Sequence, residues 1–338
     1  MRILPLALAL TSLIVLTVAA PAAAGRPSEV GARPAVVPAL SKGAIARSTL
    51  SAGPFPRSTL SSGGPVQATA VFGAAYRDTA VRMLAAGCPY ANWAAQGRHF
   101  LQFDPAGDGR AVEVLGDLGS AERVAILVPG VDTTLADFDR GLGGVPRRAP
   151  GVQARSLYAA VSKRDPHTAV VAWLGYDPPE GVGVAAATEG RARDGAAALT
   201  AFVRGVLRQR PGATVTLIGH SYGSIVVGLA AQRLPEVGDV VTLGAPGIGV
   251  DHAGDLGGAR VWSALAATDW IRRIPQVRVF GLGLGKRPTS PGFGATELPT
   301  EGVAGHDYYL VPGSVTLKAV GDIVLSGGPG HGAPGRVS

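Results

Sequence analysis

A serine between two glycines marks the point of the chain where residue types and spacing most clearly suggest chemistry. Residues 215–218 (VTLI) predict a short buried strand, 219–223 read GHSYG, and 224–234 predict a helix. A sharp turn from strand to helix lifts a serine above the sheet, and glycines two positions away let strand and helix approach. The pattern therefore predicts a nucleophile at Ser221.

A nucleophilic serine needs a base close by, and histidine is the usual choice. The chain has six histidines. His306 lies after the last predicted strand and before the last predicted helix, where its side chain can reach over the carboxyl edge of a sheet. His252, which follows the strand after the nucleophile, is the alternative base. His220, beside the nucleophile, is expected to point elsewhere along the turn.

The base needs a carboxylate that holds its tautomer and stabilises the imidazolium. Asp269 directly follows a predicted strand, with Asp251 and Asp177 as alternatives, and an N-cap for a helix near Trp270 is the structural interpretation of Asp269. The order serine, aspartate, histidine is also the chain order of the triads built on a strand–turn–helix serine.

Developing negative charge on a substrate oxygen needs two backbone donors already in place. The residue after the nucleophile, Tyr222, supplies one N–H. The loop after the predicted strand at 124–128 supplies the other, which we assign to Val131, with Gly130 as the alternative.

Alternating strand and helix patterns predict an α/β domain with a mostly parallel sheet and helices on both faces. A β-hairpin precedes it, with strands at 99–104 and 111–118 around the turn residues 105–109. The later predicted strands are 124–128, 169–174, 215–218, 239–243, 260–266 and 276–280. The predicted helices are 69–86, 152–162, 188–208, 224–234 and 317–325.

The two ends of the chain differ in composition from its centre. Residues 1–24 combine Arg2, an apolar run and a small-residue site, which predicts a signal peptide cleaved after Ala24, with an N-terminal membrane anchor as the alternative. Residues 25–65 predict a disordered linker rich in Pro, Gly, Ser and Arg, and 327–338 a disordered tail. The folded domain is expected at 66–326.

Charge and cysteine content narrow the function classes. The chain has 338 residues, 46% hydrophobic and 16% charged, with a formal net charge of +7. Much of the excess charge lies in the linker at 25–65, and no nucleic-acid-binding motif is present, so a nucleic-acid partner is not expected. Cys88 is the only cysteine, which rules out an intramolecular disulfide, and we expect a partly buried structural thiol.

Seven ordered blocks of the sequence resemble the α/β-hydrolase superfamily, and within it the bacterial group called domain of unknown function 1023. The resemblance runs from about residue 98 to 322, over the blocks 127–131, 173–179, 219–224, 244–250, 268–269, 288–294 and 305–309. It implies a triad of Ser221, Asp269 and His306 but no particular substrate. Residues 129–130 are Pro-Gly where lipases have His-Gly, so the second oxyanion donor departs from that pattern.

Together these features predict an exported or cell-surface serine hydrolase that cleaves a small ester or lipid-like substrate without metal or organic cofactor. No membrane insertion is expected after signal cleavage. The glycine-rich loop at 281–305 is expected to cover the site, with apolar lining from Trp262, Trp270 and Phe293. The alternatives are a catalytically inactive binding protein of the same fold, or a peptidase or thioesterase.

Overall fold

The fold is built on a mixed sheet, and the computed structural model describes residues 65–181, 183, 186–274, 276 and 283–327. The predicted signal peptide, almost all of the predicted linker, and residues 328–338 of the predicted tail lie outside the described residues. So does nearly all of the strand predicted at 276–280, because only Gln276 of that segment is described.

The sheet has eight strands in the described residues, in the order β1-β2-β4-β3-β5-β6-β7-β8. The strands are β1 His99–Asp104, β2 Arg110–Leu115, β3 Arg123–Val128, β4 Thr168–Leu174, β5 Thr214–His220, β6 Val237–Leu243, β7 Arg260–Ala264 and β8 Thr296–Glu297. The β1–β2 and β2–β4 pairs are antiparallel, and every other pair is parallel. The predicted N-terminal hairpin and mostly parallel sheet are therefore confirmed.

Six α-helices accompany the sheet in the described part of the chain. They are α1 Pro65–Ala86, α2 Tyr90–Ala95, α3 Pro150–Val161, α4 Gly190–Gln209, α5 Gly223–Ala231 and α6 Val315–Ser326. The helix predicted at 152–162 begins two residues earlier, at Pro150. Proline suits the first turn of a helix, because the N–H groups there have no partner within the helix and proline has no N–H. Short 3₁₀ helices cover Leu135–Asp137, Leu142–Gly144, Pro146–Arg148, Ala253–Asp255 and Trp270–Arg273.

Helices cover both faces of the sheet, and the alternation along β3 divides the core between them. Val124 and Ile126 belong to a cluster that includes Phe202 of α4. Ala125 and Leu127 point the other way, into a cluster formed with α3 and α6. Strands buried on both faces in this way read as continuous apolar runs, which is why the sequence predicted them.

Two predictions about single segments are wrong. The strand predicted at 260–266 ends at Ala264, and a short parallel strand that was not predicted, β8, pairs with it from within the loop expected to cover the site. Cys88 is exposed rather than partly buried, because it lies in the turn between α1 and α2 while Trp93 fills the core there. Its thiol is 3.7 Å from the Asn92 side-chain oxygen.

Within the described part of the chain, no helix is both long and apolar enough to cross a bilayer.

Candidate active site

The nucleophile candidate lies on a tight turn between β5 and α5. Ser221 has φ +54°, in the left-handed region that non-glycine residues rarely adopt, and it is 6% exposed. A Cβ on Gly219 would lie 2.5 Å from Ser224 Cα, and one on Gly223 would lie 2.3 Å from the Val128 carbonyl oxygen. The turn therefore needs glycine at both positions, as the spacing predicted.

The neighbouring strand β6 places this serine beside the other candidate residues. The Ser221 N–H donates to the Leu243 carbonyl oxygen at 2.9 Å, at the carboxyl end of β6. The next residue, Gly244, packs so tightly that a Cβ there would lie 2.7 Å from Asp269 Oδ2 and 2.8 Å from His306 Nδ1. The backbone at Leu243 and Gly244 thus borders the main chain of Ser221 and the side chains of Asp269 and His306.

The predicted base and acid are in direct contact. His306 Nδ1 lies 3.0 Å from Asp269 Oδ1 and 2.9 Å from Oδ2. Asp269 is 3% exposed and also accepts the Ile271 N–H at 2.9 Å, so it caps the 3₁₀ helix as well. Asp269 therefore both pairs with the predicted base and caps the 3₁₀ helix.

The ionised form of this carboxylate is favoured. Burial of Asp269 acts to raise its pKa, but hydrogen bonds from His306, Tyr309 and the Ile271 N–H, with the charge of His306, outweigh it and hold the pKa below its usual range. A carboxylate that stays ionised keeps the Nδ1 proton of the imidazole in place.

Two residues of this site were not assigned by the sequence. The Tyr309 hydroxyl donates to Asp269 Oδ2 at 2.5 Å and accepts the Ala266 N–H at 3.1 Å. His220, expected to point elsewhere along the turn, instead places Nε2 2.8 Å from the His306 carbonyl oxygen, with the two rings 4.8 Å apart. The sequence motif at 305–309 contained Tyr309, but only the fold shows which residue its hydroxyl meets.

Burial, and after it the neighbouring His306, lowers the pKa of His220 to about 4. His220 is therefore neutral near pH 7. Because a carbonyl oxygen can only accept, Nε2 of this neutral ring carries the proton.

The oxyanion candidates border the serine from two loops. A Cβ on Gly130 would lie 2.7 Å from Ser221 Cβ, and Val131 and Tyr222 line the same pocket as the serine. The Tyr176 hydroxyl donates to the Pro129 carbonyl at 2.7 Å and helps to fix the loop after β3. Which N–H of this loop points at the substrate oxygen stays a prediction.

A pocket of about 260 Å³ opens at Ser221. Trp270, 41% exposed, lies at its edge with its ring 5.1 Å from that of His306, and Gly283–Gly285 of the predicted covering loop form part of the wall. Trp262 and Phe293 do not line it. Trp262 Nε1 donates to Asp239 at 2.8 Å, and Phe293 is buried in the core on one face of the sheet.

The alternative acids and base lie apart from this cluster. Asp251 is exposed, and Asp177 forms an ion pair with Arg191. His252 Nδ1 is 3.4 Å from the Gly292 carbonyl oxygen. Within residues 65–327, as far as they are described, no group of three or more His, Cys, Asp or Glu side chains could hold a metal ion.

Comparison with known proteins places this fold in a family. A family model described as alpha/beta hydrolase matches residues 104–279. The chain is 33% identical over 269 residues to the uncharacterized protein Rv2079 of Mycobacterium tuberculosis, covering 69% of this chain and 39% of that protein. It is 33% identical over 198 residues to the uncharacterized protein Rv0963c of the same organism, covering 55% and 72%. The chain thus spans about two fifths of the length of the first of these relatives.

Among solved structures, the chain is similar to XC6422 from Xanthomonas campestris, described as an a/b serine hydrolase without lid, and to a carboxylesterase from Mesorhizobium loti. The first has a TM-score of 0.38 at 16% identity, over 68% of this chain and 93% of that one. The second has a TM-score of 0.38 at 16% identity, over 67% and 99%. With the family model matching more than half of its length, the chain belongs to the alpha/beta hydrolase family.

Proposed function

We propose that this protein is a serine hydrolase that cleaves carboxylic esters by acyl transfer. One observation carries the proposal: Asp269 pairs with His306 Nδ1 at the sheet edge where Ser221 occupies a left-handed turn. A strained serine beside a carboxylate-oriented histidine is the arrangement that activates a hydroxyl as a nucleophile.

In the acylation half of the proposed reaction, His306 Nε2 takes the Ser221 Oγ proton while Oγ forms a bond to the ester carbonyl carbon. Asp269 keeps the imidazole in the required tautomer. The resulting oxyanion is held by the N–H groups of Tyr222 and of Val131 or Gly130. The tetrahedral intermediate then collapses, the C–O bond to the alcohol breaks, and His306 returns the proton to the departing oxygen.

Deacylation repeats these steps with water. His306 takes a proton from the water as its oxygen attacks the acyl carbon, and the C–Oγ bond then breaks. The proton passes to Ser221 Oγ, which restores the free enzyme and releases the acid. Neither half of the proposed reaction draws on a metal or an organic cofactor.

The pocket favours an uncharged, apolar group on the substrate. None of the described residues that line it carries a charge. Gln276, one of the few polar ones, donates to the Pro246 carbonyl at 2.7 Å and accepts the Arg287 N–H at 2.7 Å. The Tyr222 hydroxyl donates to the Thr188 carbonyl at 2.7 Å. These polar atoms are engaged within the protein, so a small ester with a short acyl chain or a lipid-like group is the proposed substrate.

We further propose that the enzyme acts outside the cytoplasm, after signal cleavage behind Ala24, with retention as an N-terminal membrane anchor as the alternative. The apolar run at 3–20 and the small residues before Ala24 support this proposal. Expression in a bacterial host and N-terminal sequencing of the processed chain tests it. A mature chain beginning at Gly25 is expected, and an uncleaved chain in the membrane fraction would favour the anchor.

Hydrolysis of p-nitrophenyl butyrate by the purified domain tests the activity. We expect turnover by the native protein and a loss of at least about 10³-fold in kcat in Ser221→Ala. Ser156→Ala is a matched control, because that hydroxyl bonds only to the Val152 carbonyl within α3 among the described contacts, at 3.1 Å. Equal activity in Ser221→Ala and the native protein would contradict the proposal.

A further inference from the structure

The loop that carries His306 is joined to the rest of the site through Tyr309. This residue lies three positions after the histidine, and its hydroxyl reaches the Asp269 carboxylate at 2.5 Å. The same hydroxyl accepts the Ala266 N–H at 3.1 Å, just beyond the end of β7. Tyr309 thus connects the loop of the base with the strand end that carries the acid.

Burial restricts the Tyr309 hydroxyl to one hydrogen-bonding arrangement. Tyr309 is 1% exposed and Asp269 is 3% exposed, so water competes little for the bond. The Ala266 N–H occupies the hydroxyl oxygen as a donor, which leaves the phenolic proton to point at Asp269. A buried phenol between a fixed donor and a carboxylate has one favourable orientation.

We infer that Tyr309 is a positioning residue that holds the Asp269 carboxylate in register with His306 and sets how strongly that carboxylate favours the protonated imidazole. The inference rests on the proposed function, in which His306 is the base. Nothing in the motif at 305–309 distinguishes this role from simple packing, since it depends on a contact between residues 40 positions apart.

The chemical consequence follows from how the carboxylate charge is shared. Asp269 Oδ1 accepts the Ile271 N–H at 2.9 Å, and Oδ2 accepts the Tyr309 hydroxyl, while both oxygens face His306 Nδ1. Each donor withdraws negative charge that would otherwise stabilise an imidazolium. With Tyr309 in place, the Asp269 carboxylate therefore stabilises a protonated imidazole less strongly than it would without that donor.

Other charged and titratable groups surround the same imidazole. His220 faces it from the end of β5 and is neutral near pH 7, since burial lowers its pKa to about 4. On its own loop Asp307 is paired with Arg148 at 2.6 Å. The electrostatic neighbours of Asp269 and Tyr309 are Arg287 and Arg272. None of these groups is altered when the Tyr309 hydroxyl alone is removed.

The test is Tyr309→Phe, followed through the pH dependence of kcat/KM for p-nitrophenyl butyrate and of labelling by a fluorophosphonate. We expect the acid limb of both profiles to move up by about 0.5–1 pH unit and kcat to fall about tenfold. Tyr308→Phe is the matched control, because the neighbouring ring lies under Arg147, 4.3 Å from ring centre to guanidinium carbon, and away from the carboxylate. An acid limb that stays in place in a folded Tyr309→Phe protein would overturn the inference.

A second substitution tests the same claim without removing the hydroxyl. Replacing Tyr309 with 3-fluorotyrosine makes the phenol a stronger donor at nearly unchanged size, so the acid limb should move down. No shift, or a shift upward, would overturn the inference.

Titration of His306 by imidazole NMR in the native protein and in Tyr309→Phe needs no turnover. A native protein that shows neither labelling nor esterase activity would count against the proposed function. An unchanged His306 titration in Tyr309→Phe would count against the role of Tyr309.

Discussion

Asp269 and Asp251 differ sharply in their surroundings, although both follow predicted strands. Asp269 is buried and meets His306, Tyr309 and the Ile271 N–H, whereas Asp251 is exposed in the loop that follows β6. The acid of a triad must hold the imidazole in one tautomer, which requires a direct contact with Nδ1. That contact supports Asp269 as the acid of the proposed triad.

Replacing either aspartate by asparagine separates the two assignments. Asp269→Asn leaves the shape of the site intact but presents an amide to Nδ1, which favours the wrong tautomer, so kcat should fall by about 10⁴-fold. Asp251→Asn should leave it within about twofold. Steady-state hydrolysis of p-nitrophenyl butyrate measures both. The assignment would be wrong if Asp251→Asn lost more activity than Asp269→Asn.

At this scale the sequence identified some residues and could not identify others. Ser221 and Asp269 each follow a strand that an apolar run predicted, so their common sheet edge could be inferred. The strand predicted before His306, at 276–280, lies almost wholly outside the described residues. His220 and Tyr309 act through their side-chain direction and through a contact between distant segments. Neither property leaves a local pattern, which is why His220 was expected to point away.

The turn from β5 to α5 is the element on which the proposed chemistry depends. Gly223 packs against the end of β3, where a Cβ would lie 2.3 Å from the Val128 carbonyl oxygen and 2.6 Å from that of Pro129. Both contacts are with backbone, which cannot rotate away. The same contact joins the nucleophile turn to the loop that bears the second oxyanion candidate.

Gly223→Ala should therefore displace the turn or the loop after β3. We expect kcat to fall by at least about 10²-fold and the free energy of unfolding to drop by about 1–3 kcal/mol. Gly212→Ala is the control, since a Cβ there meets nothing within 4 Å. Ester hydrolysis and urea unfolding measure the two effects. Native-like kcat in Gly223→Ala would show that the turn tolerates a side chain.

Among the elements, long apolar segments were predicted well and short or irregular ones were not. β4 and β6 are buried along their whole length, and β4 reads as a continuous apolar run from Ala169 to Leu174. β8 has two residues, both exposed, and it forms only because β7 offers a free edge. Two exposed residues carry too little pattern for a sequence to reveal them.

Across the whole molecule, a partly buried ionic network joins the antiparallel end of the sheet to α3. Arg98 binds Glu113 of β2 through Nε and Nη2, at 2.7 and 2.8 Å, and also contacts Asp139. Arg155 of α3 lies 2.8 Å from Asp139 and 3.3 Å from Glu113. Glu113 is 1% exposed, so its charge depends on these partners. These ion pairs could not be predicted from the sequence, because their residues lie on separate elements.

Glu113→Gln should lower the free energy of unfolding by about 3 kcal/mol, because it removes the buried carboxylate and leaves Arg98 and Arg155 to share Asp139. None of the network residues lines the pocket, so kcat at 25 °C should change little. Asp322→Asn is the control: its pairs with Arg164 and Lys318 are at the surface and worth at most about 1 kcal/mol. Urea unfolding compares them. Equal losses in the two variants would contradict the structural role of the buried network.

The most direct test of the central claim is the site at which a fluorophosphonate reacts. Such a probe forms a covalent bond to an activated serine oxygen and releases fluoride. Peptide mass spectrometry of the labelled native protein should place the adduct on Ser221, and both Ser221→Ala and His306→Ala should remain unlabelled. No adduct on the native protein, or an adduct on another residue, would contradict the account.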